Sequence, residues 1–219
     1  MSSRRPARAA LFDFDGTLAD TAPDLAAAVN RMRTERGLAA LKPEVVRPYA
    51  SSGARGLLRI GFDMTPEHAD YATMRDEFLR NYADAICVHT RLFDGMQALL
   101  EELRRRAIAW GIVTNKAMRF TSRLVPALAL EPACVVGGDS TPHLKPHPAP
   151  LLLAAERLSL APAECVYVGD DLRDIQAARA AGMRCVAVEY GYHGTENPGP
   201  ATWNADAIIS HPSELLEHL

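Results

Sequence analysis

The chain has 219 residues, a net charge of −3 and a pI near 6.2, with 48% hydrophobic and 23% charged residues. This balance excludes a disordered chain and a broad basic surface for nucleic acid. The length suits one large domain, or a core with a smaller inserted one, able to bury a core without staples.

Taken in chain order, Arg4, Arg5 and Arg8 read as a solvated leader before the first strand. No apolar stretch there resembles a signal peptide, and no run approaches a membrane span, so a cytoplasmic location is expected. Residues 9–14 form a short apolar run that ends in acids and predict a buried strand. A helix is expected from a start at residues 21–23 through residues 24–36, stopped by Gly37. Further helices are expected at 43–50, 54–60, 66–71 and 74–85, with almost no strand signal up to residue 88.

From about residue 91 the pattern changes. Strands are predicted at 108–113, 134–136, 165–168, 184–188 and 207–209, and helices at 96–106, 119–128, 149–158, 172–181 and 213–218. Apolar strands alternating with amphipathic helices predict a parallel sheet covered on both faces. The expected architecture is α/β: one strand, a helical insertion, then the rest of the sheet. Cys87, Cys134, Cys165 and Cys185 have no CxxC spacing, and three lie in or beside strand-like runs, so reduced thiols are expected rather than disulfides or zinc.

Active sites of such sheets lie at the carboxyl ends of the strands. The polar residues fall there. The first strand ends in Asp13-Phe14-Asp15-Gly16-Thr17-Leu18, the second in Thr114-Asn115. A loop after the third carries Lys145-Pro146-His147-Pro148, and the fourth ends in Gly169-Asp170-Asp171 with Asp174 beyond. Asp13 and Asp15, spaced i and i+2, would share one face of a strict strand.

These four motifs, in this order, resemble those of haloacid dehalogenase-type phosphatases from about Arg8 to the C-terminus. The resemblance implies a Rossmann-like core of residues 1–20 and 89–219 and a helical cap of residues 21–88, inserted after the first strand. It implies magnesium-dependent hydrolysis of a small phosphate monoester through an aspartyl phosphate. Asp13 would be the nucleophile and Asp15 the general acid and base, with Thr114, Lys145 and the Asn115 N–H on the phosphoryl oxygens. The metal ligands would be Asp13, the Asp15 carbonyl and Asp170, with Asp174 holding a metal-bound water. The implied partner is a small phosphorylated metabolite, without nucleic acid or membrane, for a chain acting as a monomer or weak homodimer.

Other residues stay open. Asp171 suits a helix cap better than a metal ligand, and Lys116 suits a solvated loop and the pocket equally. His143 and His147 read as surface residues. Tyr190, Tyr192 and His193 could approach the pocket or merely pack their loop. In the insertion, Ser51-Ser52-Gly53-Ala54-Arg55-Gly56 is the most suggestive stretch. Its small residues allow close approach to a ligand, so Gly53 and Arg55 are candidate substrate contacts, Arg55 toward a carboxylate.

The layout resembles bacterial phosphoglycolate phosphatases. Residues 51–58, 168–175 and 190–215 also resemble N-acetylmuramic acid 6-phosphate phosphatases. A β-phosphoglucomutase-like phosphomutase shares the motifs. A dehalogenase would lack the second aspartate, and a non-catalytic relative would have lost the nucleophile or ligands.

Overall fold

The computed structural model describes residues 6–194 and 198–219. Arg4 and Arg5 of the leader, and residues 195–197 within the third resembling segment, lie outside the described residues.

Six strands form one parallel sheet: β1 (Ala9–Phe12), β4 (Ala109–Val113), β5 (Cys134–Val136), β6 (Cys165–Gly169), β7 (Arg184–Val188) and β8 (Ala207–Ile209). Their order across the sheet is β5-β4-β1-β6-β7-β8. β1 is central, with Leu11 opposite Gly111 on one side and Tyr167 on the other. Alternate residues of each strand enter different cores. Leu11, Val113 and Tyr167 pack with Leu151 of α7 (Ala149–Arg157) and Ile175 of α8 (Leu172–Ala181). Phe12, Ile112 and Val168 face Leu99 of α5 (Met96–Arg105) and Leu124 of α6 (Met118–Ala127). Burial on both faces explains why the strands read as continuous apolar runs.

A two-residue strand, β2 (Ala19–Asp20), follows β1 and pairs antiparallel with β3 (Arg91–Leu92). Neither was legible in the sequence, because a two-residue strand has no periodicity. Between them lie α1 (Ala22–Glu35), α2 (Pro43–Val46), α3 (Gly53–Phe62) and α4 (Tyr71–Asp84). Met32, Leu57 and Phe78 of these helices join the core cluster that holds Phe12 and Ile112. Buried Asp24 of α1 accepts the N–H groups of His89 and Thr90, each at 2.9 Å, and so fixes the returning chain.

The helix expected over 43–50 stops early: α2 gives way to a 3-10 turn at Arg47–Ser52 that contains Pro48. No helix spans 66–71. Asp63 ends α3 in the left-handed region at φ 51°, and the His68 ring accepts the Thr65 N–H at 3.0 Å, closing a turn. The segment 213–218 is a 3-10 helix, Pro212–Glu217. Cys134, Cys165 and Cys185 are buried free thiols, as expected, and Cys87 is half-buried and free. No described helix is long and apolar enough to cross a membrane.

Candidate active site

The candidate residues converge where β1, β4 and β6 end. β1 stops at Phe12, although the Asp13 N–H still donates to the Val168 carbonyl at 2.9 Å. Asp13 and Asp15 both face one cleft, but strand alternation is not the cause. The chain turns instead: the N–H groups of Leu18 and Ala19 both reach the Phe14 carbonyl, at 3.1 and 3.0 Å. Gly16 has φ +85°, and a Cβ there would lie 2.2 Å from Asp170, so two independent constraints call for glycine.

Lys145 ties the cluster together. Its Nζ lies 2.9 Å from Asp13 Oδ1 and 2.7 Å from Asp174 Oδ1, and donates to the Tyr167 hydroxyl at 2.7 Å and the Val113 carbonyl at 3.1 Å. The side chain of Asn115 holds the backbone of Lys145 at both ends, accepting its N–H at 2.9 Å and donating to its carbonyl at 3.0 Å. Thr114 is buried at the tip of β4 and accepts the Lys116 N–H at 3.1 Å. Lys116 belongs to the site: its Nζ lies 3.1 Å from Asp15 Oδ1, and Thr21 Oγ1 donates to the same oxygen.

Asp170 is fully buried and accepts from Thr17 Oγ1 and the Tyr192 N–H, both at 2.9 Å. Thr17 and Tyr192 thereby join the site. The Tyr192 hydroxyl meanwhile accepts the N–H groups of Thr21 and Ala22. The Tyr190 hydroxyl donates to the Thr17 carbonyl beside the site, and His193 packs on Trp203. Asp171 caps α8, accepting the Arg173 N–H at 2.9 Å, and Asp174 returns the bond by accepting the Asp171 N–H at 3.1 Å. Arg173 also grips the Asp171 carboxylate and donates to the Ser51 carbonyl, joining the core to the insertion. His143 and His147 are exposed, as expected.

The charges of the cluster follow from burial and from its neighbours. Burial pushes the Asp13 carboxyl up to about 6; Lys145 opposes the rise, while Asp174 and Asp15 add to it. Asp170 is raised well above the usual carboxylate range by burial, then by Asp13 and Asp174. Burial would lower Lys145, but Asp13 and Asp174 outweigh it and hold the ammonium charged. Lys145 thus offsets only part of the acidic cluster. Asp13, Asp170 and Asp174 offer oxygens that all lie within 4.8 Å of one another. An all-oxygen, under-compensated set of this kind fits a hard divalent cation such as magnesium.

The cleft has a volume of about 340 Å³. Its floor is Asp13, Asp15, Thr114 and Lys145; its roof comes from the insertion through Leu25, Phe78, Tyr82 and residues 50–54. Gly53 sits on this roof with φ +54°. Arg55 lies outside this cleft. It is exposed and lines a neighbouring groove with Arg59 and Gln176, because one residue step along α3 turns it away from Ala54. Lys116, Arg119 and Arg173 bring cationic side chains to the cleft instead.

The model of the family described as haloacid dehalogenase-like hydrolase matches residues 10–188. The chain belongs to this family. This hydrolase is 44% identical over 211 residues to the N-acetylmuramic acid 6-phosphate phosphatase of Pseudomonas putida, covering 95% of the chain and 94% of the relative. It is also 44% identical over 215 residues to the phosphoglycolate phosphatase of Xanthomonas campestris pv. campestris, covering 96% and 95%. Among solved structures it is similar to a predicted phosphoglycolate phosphatase from Haemophilus somnus, with TM-score 0.85, 27% identity and 97% of each chain covered. The hydrolase thus shares both its fold and its family with proteins named as phosphatases.

Proposed function

We propose that this hydrolase cleaves a small phosphate monoester, of phosphoglycolate type or a sugar phosphate, through a phosphorylated Asp13. The observation that carries the reading is the pairing of Asp13 with buried Lys145 at 2.9 Å, with Asp15 on the same cleft. Phosphate dianions repel nucleophiles, so positioning and positive charge decide the rate. Lys145 and Thr114 receive the phosphoryl oxygens while an Asp13 oxygen attacks phosphorus and the ester P–O bond breaks. Asp15 gives its proton to the leaving alkoxide. Water then attacks the phosphoaspartate, Asp15 takes a proton from it, and the bond to Asp13 breaks to release inorganic phosphate. Asp13, Asp170, Asp174 and the Asp15 backbone are suited to hold magnesium, which when bound supplies positive charge against the phosphoryl oxygens. The helices of residues 21–88 serve as a cap that excludes water and contacts the organic part of the substrate.

The cleft volume favours a second reading. Ligand pockets run from about 300 to 1,000 Å³. A cleft of about 340 Å³ with an aromatic roof leaves space beyond a two-carbon acid. That supports a bulkier ester such as N-acetylmuramic acid 6-phosphate, the substrate class in the name of the Pseudomonas relative. The test is inorganic phosphate release from a panel containing both esters, with and without chelator, together with phosphoenzyme trapping in wild type and Asp13→Asn. We expect chelator-sensitive release and no phosphoenzyme in the variant. Full activity after chelation, or a phosphoenzyme in Asp13→Asn, would overturn the mechanism. Isomer interconversion without phosphate release would identify a mutase.

A further inference from the structure

Tyr82 is the feature of the cleft that the reaction leaves unexplained. It sits on α4 and is 2% exposed, and its buried hydroxyl makes no well-formed hydrogen bond among the described residues, the Lys116 ammonium being its polar neighbour. A buried hydroxyl left unpaired is costly, and such groups call for a reason. The ring is held on two sides: it stacks on Phe78 of its own helix at 6.5 Å and meets Phe120 of α6 edge-on at 5.5 Å. The side chain is therefore fixed where the insertion meets the core. The Lys116 ammonium lies 4.7 Å over the ring, and Lys116 in turn pairs with Asp15 at 3.1 Å. Tyr82 lines the same cleft as Asp15 and Lys116.

These positions give the cleft a direction. Asp13, Lys145 and Thr114 mark the phosphoryl end. Asp15, as proton donor, marks the ester oxygen of the leaving group. Tyr82 lies next to Asp15 through Lys116, and Phe78 and Phe120 line the same cleft. Resting on the phosphatase reading above, we infer that Tyr82 is a specificity-determining residue. Its hydroxyl hydrogen-bonds an oxygen carried close to the ester oxygen of the leaving alcohol, and its ring supports the adjacent apolar face. The substrate class is then a phosphate monoester of an oxygen-rich alcohol, such as a sugar or a hydroxy acid. A site built to pair a substrate oxygen discriminates against analogues that lack it, because its own polar group is then left unpaired.

Tyr82→Phe removes only the hydroxyl and keeps the ring contacts. Two readouts decide the matter. In the substrate-free protein the hydroxyl makes no well-formed hydrogen bond beyond its approach to Lys116, so the variant should melt no lower than wild type. In steady-state phosphate release, kcat/KM should fall about tenfold on hexose 6-phosphate or 2-phosphoglycolate, and stay within about twofold on phenyl phosphate, which carries no oxygen beyond the ester. A lower melting temperature would mean that the hydroxyl is already paired, by water or protein, and would overturn the inference. So would an equal change, or none, across the three esters. A wild-type protein inert on all three would overturn the phosphatase reading itself, and the role of Tyr82 with it.

Discussion

Lys145→Met nearly preserves side-chain volume and removes a charge, so it isolates what the buried ammonium does. Four groups surround that ammonium, at 2.7 to 3.1 Å: Asp13, Asp174, the Tyr167 hydroxyl and the Val113 carbonyl. Removing one partner of a buried ion pair costs about 3–5 kcal/mol. Asp13 limits that cost, because a carboxyl already pushed from 3.8 to about 6 by burial rises further when Lys145 is gone. Above the unfolded value the folded state then holds more protons than the unfolded chain, so stability falls as pH rises through that window. Wild type takes up its own proton at Asp13 near pH 6, so below about 6 the two proteins respond alike. Above it, the variant keeps up to one extra proton, and its deficit shrinks by up to about 1.4 kcal/mol for each unit of acidification. In urea melts of chelated protein we expect a deficit of about 3–5 kcal/mol near pH 8 that narrows toward pH 6 and then levels. Phosphate release should be lost throughout. A deficit independent of pH between about 6 and 8, or a variant as stable as wild type near pH 8, would refute the coupling of Lys145 to Asp13.

Two further substitutions separate roles that the sequence alone confuses. Asp171→Ala removes a helix cap and the partner of Arg173, and should cost about 1–2 kcal/mol in thermal or urea melts while magnesium still supports activity. Asp170→Ala should instead weaken magnesium binding, read by the metal concentration needed for half-maximal rate, and relieve the buried charge in the chelated protein. Arg55→Ala should change kcat/KM less than twofold or so on a carboxylate-bearing ester, whereas Arg119→Ala at the cleft should cost about tenfold, in the range of a charged contact. The reverse ranking would return substrate recognition to Arg55.

The sheet and the floor of the site were legible because each rests on local chemistry. A parallel strand buried on both faces must be apolar, and an acid at its tip interrupts that run, as Asp13 and Asp170 do. The Asp171 cap of α8 was legible because Asp171 directly precedes the first helical residue, whereas the part of Asp174 in that cap was not. What could not be read depends on contacts distant in the chain. Arg55 and Ala54 are neighbours in sequence, but the packing of α3 points one to the cleft and the other away. Lys116 could not be told from a loop lysine without Asp15, a hundred residues earlier, and Tyr192 gave no hint that its N–H meets Asp170. Tyr82 left one faint trace: Phe78 and Tyr82 are spaced i, i+4 and so share a face of their helix.

The ribbon of β2 and β3 places Ala19 opposite Leu92, so the helical insertion leaves and rejoins the sheet at neighbouring positions. The two ends of the insertion are already in contact, and Asp24 clamps the returning chain beside them. The length of what lies between matters little to the sheet, since loop closure is fixed at the ribbon and depends only weakly on the number of residues beyond it, whereas its content matters where Met32, Leu57 and Phe78 share the core of Phe12 and Ile112. The number of residues in the insertion can therefore change at little cost to the sheet.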